Sequence, residues 1–512
     1  MDAVDPLKVI TMKTKTFLLS FLLGAPLLAT QNTDGTEYKA PRLAGDSLAI
    51  KPLEKPKNDE VSSLEEIFTK GKVKGLLRYS MQNRNSNYNT LEKPSSSTDR
   101  QGYSAFGGYL GFESAAFYNI SAGVTFYTAQ KMFNNDVFAD GTLGGLAEEN
   151  GKAKSYTALG EAFIKYKDTQ NDLRFGRREM PNYRFISLSN IRFSPLTHQG
   201  ATYENTTLKN TKFIFGYIDA QKNRNAEEFT DMVNAARVKE NSSTGRNLIR
   251  GDYDPENYDA AGNYVGEDKA MYMFSTAWTP ENFTAEVWDY YVKDFVNTIY
   301  LYTDYTLPVD NELALTFAAQ YAKQDDVGDH VAGSVDTWFY GLKAQAAWKS
   351  GITAFASMNQ VEYNENSYDG GTIFVRWGTP QMFNSFQTQD SELAGTKSYG
   401  VGVQFELGHM GIIPNTVIRF RHAYYDMPDA LGDYFAAQDR SETTFDLRYS
   451  FSKNDGFGIF TEMKGLSMQL RVAYDNFRTD YDFDAYKNLH GFDFERVSDD
   501  FVDTRLYIDY LF

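Results

Sequence analysis

The chain ends in the stretch VDTRLYIDYLF, residues 502–512, and this stretch decides the fold. One face of the extended chain carries Val502, Thr504, Leu506, Ile508, Tyr510 and Phe512. The opposite face carries Asp503, Arg505, Tyr507 and Asp509. Because side chains alternate between the two faces of a strand, this period of two predicts a β-strand with one apolar and one polar face.

The same alternation recurs through the chain, for example in residues 313–321, 445–451 and 468–475. Each run can cross a membrane when tilted, which takes about 9–11 residues. The sequence has 38 Phe and 35 Tyr but only 14 Pro, and its mean hydropathy is −0.49. This polarity argues against a helical membrane protein. It is compatible with a barrel, whose strands expose only every second residue to lipid.

The first residues predict export from the cytoplasm. Lys13 and Lys15 precede the apolar run 17–28, and the small residues Ala29 and Thr30 follow. We interpret residues 1–30 as a signal peptide, because the run is too short for the alternative, a membrane anchor. Residues 31–70 predict a flexible periplasmic leader with a short helix at 63–69, and residues 71–512 predict the barrel. In an exported chain, the terminal Phe512 resembles the C-terminal signal of bacterial outer-membrane proteins.

Turns and loops divide the barrel region into about eighteen strands, an even number as expected for a bacterial barrel. Short turns are predicted near 114–118, 168–172, 208–211, 279–282, 307–312, 348–351, 407–415 and 452–466. Long loops are predicted near 81–102, 129–154, 179–199, 221–269, 324–335, 363–396, 425–440 and 477–500, with one short loop near 294–297. A barrel of this size leaves an aqueous channel.

Several other classes of function find little support. The net charge of −17 disfavours nucleic-acid binding, and the absence of cysteine excludes disulfides and thiolate metal sites. The five histidines lack metal-ligand spacing, and no nucleophile or phosphate-binding motif is present. The acidic run 480–484 is more typical of a solvated loop than of a calcium site. We therefore expect no enzyme activity, cofactor or metal.

Arginines recur on the polar faces of the last four strands and of the first strand. They are Arg78, Arg419, Arg421, Arg448, Arg471 and Arg505. A closed barrel pairs its last strand with its first, so these side chains should form one basic patch in the lumen. Guanidinium groups bind carboxylates, and rings of arginine select anions in pores. The alternative is that they form salt bridges in the wall with Asp446, Asp475, Asp503 and Asp509.

The segment 179–199 and the residues just before it hold a second group of arginines, of which Arg177, Arg184 and Arg192 are the candidates. Apolar residues such as Phe185 and Ile186 accompany them, which a loop in water would not need. The segment therefore predicts a constriction folded into the lumen. An external loop packed on its neighbours is the alternative.

Residues 156–238 resemble the OprD family of outer-membrane porins. The motifs are Gly160-Glu-Ala162, Leu173-Arg-Phe-Gly-Arg-Arg178 and Asn190-Ile-Arg-Phe-Ser-Pro195, with the glycine-rich stretch 105–112 before them. The resemblance implies an 18-stranded monomeric channel with an arginine ladder and an inward third loop, which takes up amino acids or other small carboxylates. The leader 31–70 and the segment 221–269 do not match the family.

The leading prediction is diffusion of small polar solutes, often anionic, through an outer-membrane barrel. Its partners would be the solutes, outer-membrane lipid and, through Phe512, the barrel-assembly machinery. The alternatives are a barrel enzyme using His422, a structural or adhesive surface protein, and a sheath around an electron-transfer protein.

Overall fold

The protein was analysed as a computed structural model. The structure describes residues 61–90, 93–133, 145–149, 152–180, 183–186, 192–237, 265–373, 377–378, 382–388, 391–428, 439–452, 463–477 and 497–512. The predicted signal peptide, residues 31–60 of the leader and the acidic run 480–484 lie outside these residues.

Eighteen strands form the wall. They are β1 Lys72–Thr90, β2 Lys93–Glu113, β3 Ile120–Lys131, β4 Tyr156–Lys167, β5 Asn171–Arg178, β6 Thr197–Asn205, β7 Thr211–Lys222, β8 Met271–Trp278 and β9 Phe283–Val292. The others are β10 Val296–Pro308, β11 Leu313–Asp326, β12 Asp336–Trp348, β13 Ile352–Val361, β14 Lys397–Glu406, β15 Thr416–Asp426, β16 Arg440–Ser450, β17 Leu466–Phe477 and β18 Val497–Leu511. Two short helices are α1 Leu64–Thr69 and α2 Met232–Arg237. Minor elements are the strands Ala147–Glu149, Lys152–Lys154 and Thr230–Asp231 and the 3₁₀ turn Tyr368–Gly371.

Each wall strand pairs antiparallel with the next, and β18 also pairs with β1, which closes the barrel and confirms the predicted strand number. The seam extends to the last residue, where the amides of Gly75 and Phe512 donate to each other's carbonyls at 2.9 and 3.0 Å. A Cβ on Gly75 would lie 2.2 Å from the Phe512 ring, so only glycine lets that ring cover the strand. The closed ladder leaves no unpaired edge for the bilayer to meet.

All eight short turns lie where the sequence predicts them, between β2 and β3, β4 and β5, and so on to β16 and β17. One loop prediction is wrong. Residues 81–102 were expected to form a loop, but β1 and β2 continue through them as a paired hairpin to Thr90 and Lys93. This stretch is too polar to show the apolar alternation of a membrane strand. Outside the membrane, a hairpin can be held together by the hydrogen bonds between its two backbones and does not require an apolar face.

The two faces of the wall differ as the alternation predicts. Large apolar side chains are exposed on the outside, as with Phe106, Leu110 and Phe126 on β2 and β3. Their sequence neighbours point into the lumen and are mostly buried, as with Tyr103, Ala105 and Tyr127. Lipid therefore contacts the apolar face, and the polar positions line the inside.

The predicted helix at 63–69 is confirmed as α1, with Ser63 as its N-cap. The Ser63 hydroxyl accepts a hydrogen bond from the amide of Glu66 at 3.2 Å. The Glu66 carboxylate accepts in return from the amide of Ser62 at 2.7 Å, which lowers the pKa of Glu66. None of the described helices is long and apolar enough to cross a bilayer.

Candidate functional site

The third external loop, L3 (179–196, between β5 and β6), folds into the lumen. Arg184 is completely buried against the opposite wall, where its Nε and Nη2 donate to the Glu286 carboxylate of β9 at 2.9 and 3.1 Å. Its guanidinium also lies 4.1 Å from the centroid of the Tyr302 ring. Next to it, Phe185 adopts φ 62° and packs on Tyr300. The apolar residues of L3 therefore pack inside the barrel.

The other arm of L3 is tied to the strands at the seam. Arg192 donates from Nη1 to the Gln82 side chain at 2.5 Å, and its carbonyl accepts from Arg78 Nη1 at 2.7 Å. Phe193 packs edge-on against Tyr103 of β2. L3 thus contacts both the β9–β10 wall and the β1–β2 wall, so it crosses the lumen.

Arg177 does not belong to this loop. It is a residue of β5 and lies on the outward side with Phe175, by the alternation of that strand. Its Nε donates to Gln199 at 2.9 Å, and its guanidinium stacks 4.3 Å from the Phe229 ring. Arg177 was grouped with the constriction although it precedes the segment 179–199, and β5 ends at Arg178, where that segment begins. The inward arginine of this stretch is Arg178, which donates to Thr202 at 2.8 Å.

A second loop, L7 (362–396, between β13 and β14), also enters the lumen, which the sequence did not predict. Backbone amides of Gln387 and Thr388 donate to the buried Glu442 carboxylate of β16 at 2.9 and 3.0 Å. The Thr388 hydroxyl donates to Asp475 of β17, and the Gln387 amide group donates to Asp503 of β18 at 2.9 Å. L7 therefore docks on a row of carboxylates across three strands.

The two loops and part of L4 (223–270, between β7 and β8) build an apolar core inside one half of the barrel. Strands β7 to β13 contribute inward residues such as Trp288 and Phe339. The loops contribute Ile186, Met232 and Trp377, and the Trp377 indole donates to the Met232 carbonyl at 2.8 Å. This half of the lumen is packed like a protein interior, and the inward arginines of β15 to β18 and β1 lie on the other half.

The predicted arginine patch forms along that other half, on β15 to β18 and β1. The strand register places Arg419 opposite Asp446, Arg471 opposite Arg505, and Arg505 opposite Gln82. All six predicted arginines occupy inward positions of their strands. The six positions therefore lie on neighbouring strands around the closure of the barrel.

Three of the six arginines are held in salt bridges with wall carboxylates, which is the alternative to solute binding stated in the sequence analysis. The pairs are Arg78–Asp509 at 2.7 Å, Arg471–Asp446 at 3.3 Å and Arg505–Asp503 at 2.6 Å. Arg84, which the sequence analysis missed because it fell in the supposed loop 81–102, also pairs with Asp503 at 3.2 Å. These guanidiniums are largely neutralised by the wall.

The other three arginines have neutral groups among their hydrogen-bond partners or no ion pair within the described part of the chain. Arg419 donates from Nε and Nη2 to Gln404 at 3.1 and 2.8 Å. Arg421 donates to the Thr444 hydroxyl at 3.1 Å and stacks 4.5 Å from the Phe386 ring of L7, while its Nη2 has no hydrogen-bond partner among the described residues. Arg448 is half-buried and makes no ion pair within the described part of the chain. Arg421 and Arg448 therefore carry a positive charge that no salt bridge within the described residues neutralises.

The carboxylates on β4 to β6 do not offset this charge, because each contacts its own cation. The pairs are Lys74–Glu161 (2.8 Å), Arg174–Asp172 (2.7 Å) and Lys212–Glu204 (2.6 Å). Burial and the nearby Glu161 carboxylate raise the pKa of Glu179, at the start of L3, to about 7. This carboxyl group is therefore only partly charged at neutral pH.

His422, the base that an enzyme would have needed, lies on the outward face of β15, where its Nδ1 is 2.9 Å from the Thr443 hydroxyl. Within the described residues, no group of three His, Asp or Glu side chains could hold a metal ion.

A closed barrel of this size, crossed by two inward loops beside a charged wall, defines the class of outer-membrane porins. Residues 138–512 match the family model described as outer membrane porin, OprD family, and the chain belongs to this family. It is an outer-membrane channel for small solutes.

Solved structures of similar fold include Pseudomonas aeruginosa OccK9 (OpdG), 16% identical with a TM-score of 0.65, covering 87% of this chain and 99% of that one. P. aeruginosa OpdQ is 17% identical with a TM-score of 0.61, covering 88% and 99%. Acinetobacter baumannii OccAB3 is 16% identical with a TM-score of 0.62, covering 86% and 99%. No curated protein sequence matches the chain. At these identities the likeness concerns the fold alone.

Proposed function

We propose that this porin carries small carboxylates, amino acids among them, along a path lined by Arg419, Arg421 and Arg448. The observation that carries the proposal is the charge left over on the wall. Asp446, Asp503 and Asp509 are engaged by other arginines, whereas no salt bridge joins Arg421 or Arg448 to a carboxylate among the described residues. A carboxylate solute can supply the missing partner.

Guanidinium groups suit this role because they are always charged and bind carboxylates in a bidentate manner. The Arg421 Nη2 atom is buried beside the Phe386 ring and has no hydrogen-bond partner among the described residues, so a small local movement would be needed for it to donate to a solute. The field of fixed charges in a narrow lumen raises the local concentration of anions. Salt screens this field over about 8 Å at physiological ionic strength, so selectivity should be greatest in dilute salt.

The test is to replace Arg419, Arg421 and Arg448 together with glutamine. The flux of a small carboxylate relative to a neutral solute of equal size should fall by about tenfold in dilute salt, the low end of the range for electrostatic focusing. Proteoliposome swelling or radiolabelled uptake measures this ratio. Net ion selectivity is a poorer measure, because the net charge of −17 also acts at the mouths of the pore.

A charge-matched control replaces Lys74, Arg174 and Lys212 with glutamine, since these cations already have wall carboxylates. It should lower the flux ratio much less. An unchanged ratio in the arginine variant, or an equal fall in both variants, would refute the arginine path.

We also propose that Phe512 is read by the barrel-assembly machinery and that the assembled barrel is a monomer. The Phe512 ring stacks on Tyr510 at 5.8 Å and covers Gly75 of β1 at the end of the β1–β18 seam. Changing Phe512 to Asp should reduce the heat-modifiable, membrane-inserted protein severalfold, because it removes an aromatic from the interfacial row. Leu511→Asp, the same change at the neighbouring residue, is the control. Normal insertion of the Phe512 variant would contradict this reading of the last strand.

A further inference from the structure

The helix α1 and the first turn expose an apolar surface at the periplasmic rim, which the channel function does not explain. In α1, Leu64 and Phe68 are 73% and 60% exposed, although they are its largest apolar side chains. In the turn between β2 and β3, Tyr118 is 81% exposed. We call Leu64, Phe68, Phe117 and Tyr118 the rim patch.

The helix is amphipathic despite its shortness. With 3.6 residues per turn, Leu64, Ile67 and Phe68 lie on one face. The opposite face carries Glu65, Glu66, Thr69 and Lys70. Glu66 and Lys70 form an ion pair at 3.5 Å on that polar side. A helix with one exposed apolar face and one charged face fits a membrane–water interface better than water on both sides.

The position of α1 is fixed against the outside of the barrel wall. The Phe68 ring stacks on Phe112 of β2 with centroids 6.3 Å apart and an interplanar angle of 11°. Gly71 permits this approach, because a Cβ there would lie 2.4 Å from the Phe112 ring. The amide of Ala115 donates to the Ile67 carbonyl at 2.9 Å, which ties the helix to the first turn.

The rim patch continues the lipid-facing surface of the wall. By strand register, Phe112 lies between Val73 of β1 and Val124 of β3, which are both exposed on the outer face. Phe68 lies directly on this row, at its periplasmic end. The same surface that contacts acyl chains therefore runs without interruption onto α1.

We propose that α1 is an interfacial anchor whose rim patch is inserted among the phospholipids of the periplasmic leaflet. Leu64 and Phe68 then contact the upper acyl chains, while Glu65 and Thr69 face the periplasm. The helix holds the start of β1, and with it the β1–β18 seam, at a defined depth in the membrane.

Because the chain has no cysteine, single nitroxide labels can test this proposal. Labels at Leu64→Cys and Phe68→Cys are compared with matched labels at Glu65→Cys and Thr69→Cys. The full porin is reconstituted into phosphatidylethanolamine–phosphatidylglycerol vesicles. Power-saturation EPR then gives the accessibility of each label to oxygen, which enters lipid, and to a water-soluble nickel complex.

Labels at residues 64 and 68 should show an oxygen-to-nickel accessibility ratio severalfold higher than those at 65 and 69. Equally high nickel accessibility at all four positions would place the helix in water and overturn the proposal. Low accessibility of residues 64 and 68 to both reagents would mean that protein, such as the leader before residue 61, covers the patch. That result would overturn it as well.

Discussion

Changing Arg184 to Ala should release L3 from the β9–β10 wall and raise the single-channel conductance of the porin. The substitution leaves the Glu286 carboxylate buried without the guanidinium that both Nε and Nη2 now provide. Removing one partner of a buried pair typically costs about 3–5 kcal/mol. The barrel ladder does not involve Arg184, so the cost falls on the attachment of the loop. Planar-bilayer recording and the size limit for neutral sugars measure the result.

A double substitution separates the loss of the pair from the loss of packing. Arg184→Met with Glu286→Leu removes both charges while keeping side chains that fill the site. Because apolar replacements of a whole buried pair are often neutral or stabilising, conductance should return close to that of the native porin. If Arg184→Ala alone left conductance and sugar exclusion unchanged, the pair would not hold L3 in the lumen.

The second substitution from which we expect a large effect is at Asp503, a residue that is fully buried at the β1–β18 seam. Its carboxylate receives Arg505 Nε at 2.6 Å, Arg84 Nη2 at 3.2 Å and Gln387 Nε2 of L7 at 2.9 Å. Changing Asp503 to Ala leaves two guanidinium groups close together without their shared counter-charge. We expect a loss of at least about 3 kcal/mol in unfolding free energy, with L7 loosened at the same time. Urea unfolding of the porin in lipid vesicles measures the first effect.

Asp446→Ala is the matched control for Asp503→Ala. Asp446 pairs with Arg471 at the longer distance of 3.3 Å and accepts from Gln469, and no amide in the described part of L7 donates to it. Its loss should therefore be less destabilising and should leave L7 in place. Equal destabilisation by the two substitutions would show that Asp503 has no special role at the seam.

The sequence predicts the barrel well because its strands obey a local rule. Alternation along β16 to β18 identifies the lipid face, and short polar turns set the strand number. Closure alone then brings Arg78 opposite Asp509, across most of the chain length. The outer part of the hairpin formed by β1 and β2 does not follow this rule. Strands outside the lipid can pair without an alternation of apolar and polar residues.

The interior was harder to predict because its contacts join residues far apart in sequence. Arg184 and Glu286 are 102 positions apart, and Gln387 and Asp503 are 116 positions apart. Nothing near Gln387 signals that L7 will turn inward, since its polar residues also suit an exposed loop. L3 was predicted because its apolar residues, such as Phe185, have no use in water. Periodicity shows which face of a strand an arginine lies on, but it does not show whether that arginine pairs with a wall carboxylate. That depends on the geometry of the individual side chains.

The lumen is divided into an apolar half and a charged half, and the two halves should tolerate amino-acid substitution differently as such channels diverge. Inward positions of β9 to β12, such as Trp288 and Phe339, are packed on the inside, while the same strands meet lipid on the outside. Substitutions on these strands are therefore constrained on both faces. On β16, the half-buried inward Arg448 does not belong to this apolar core. Solute preference can therefore change over evolutionary time through a few polar replacements on one side of the pore, while the opposite side preserves the architecture.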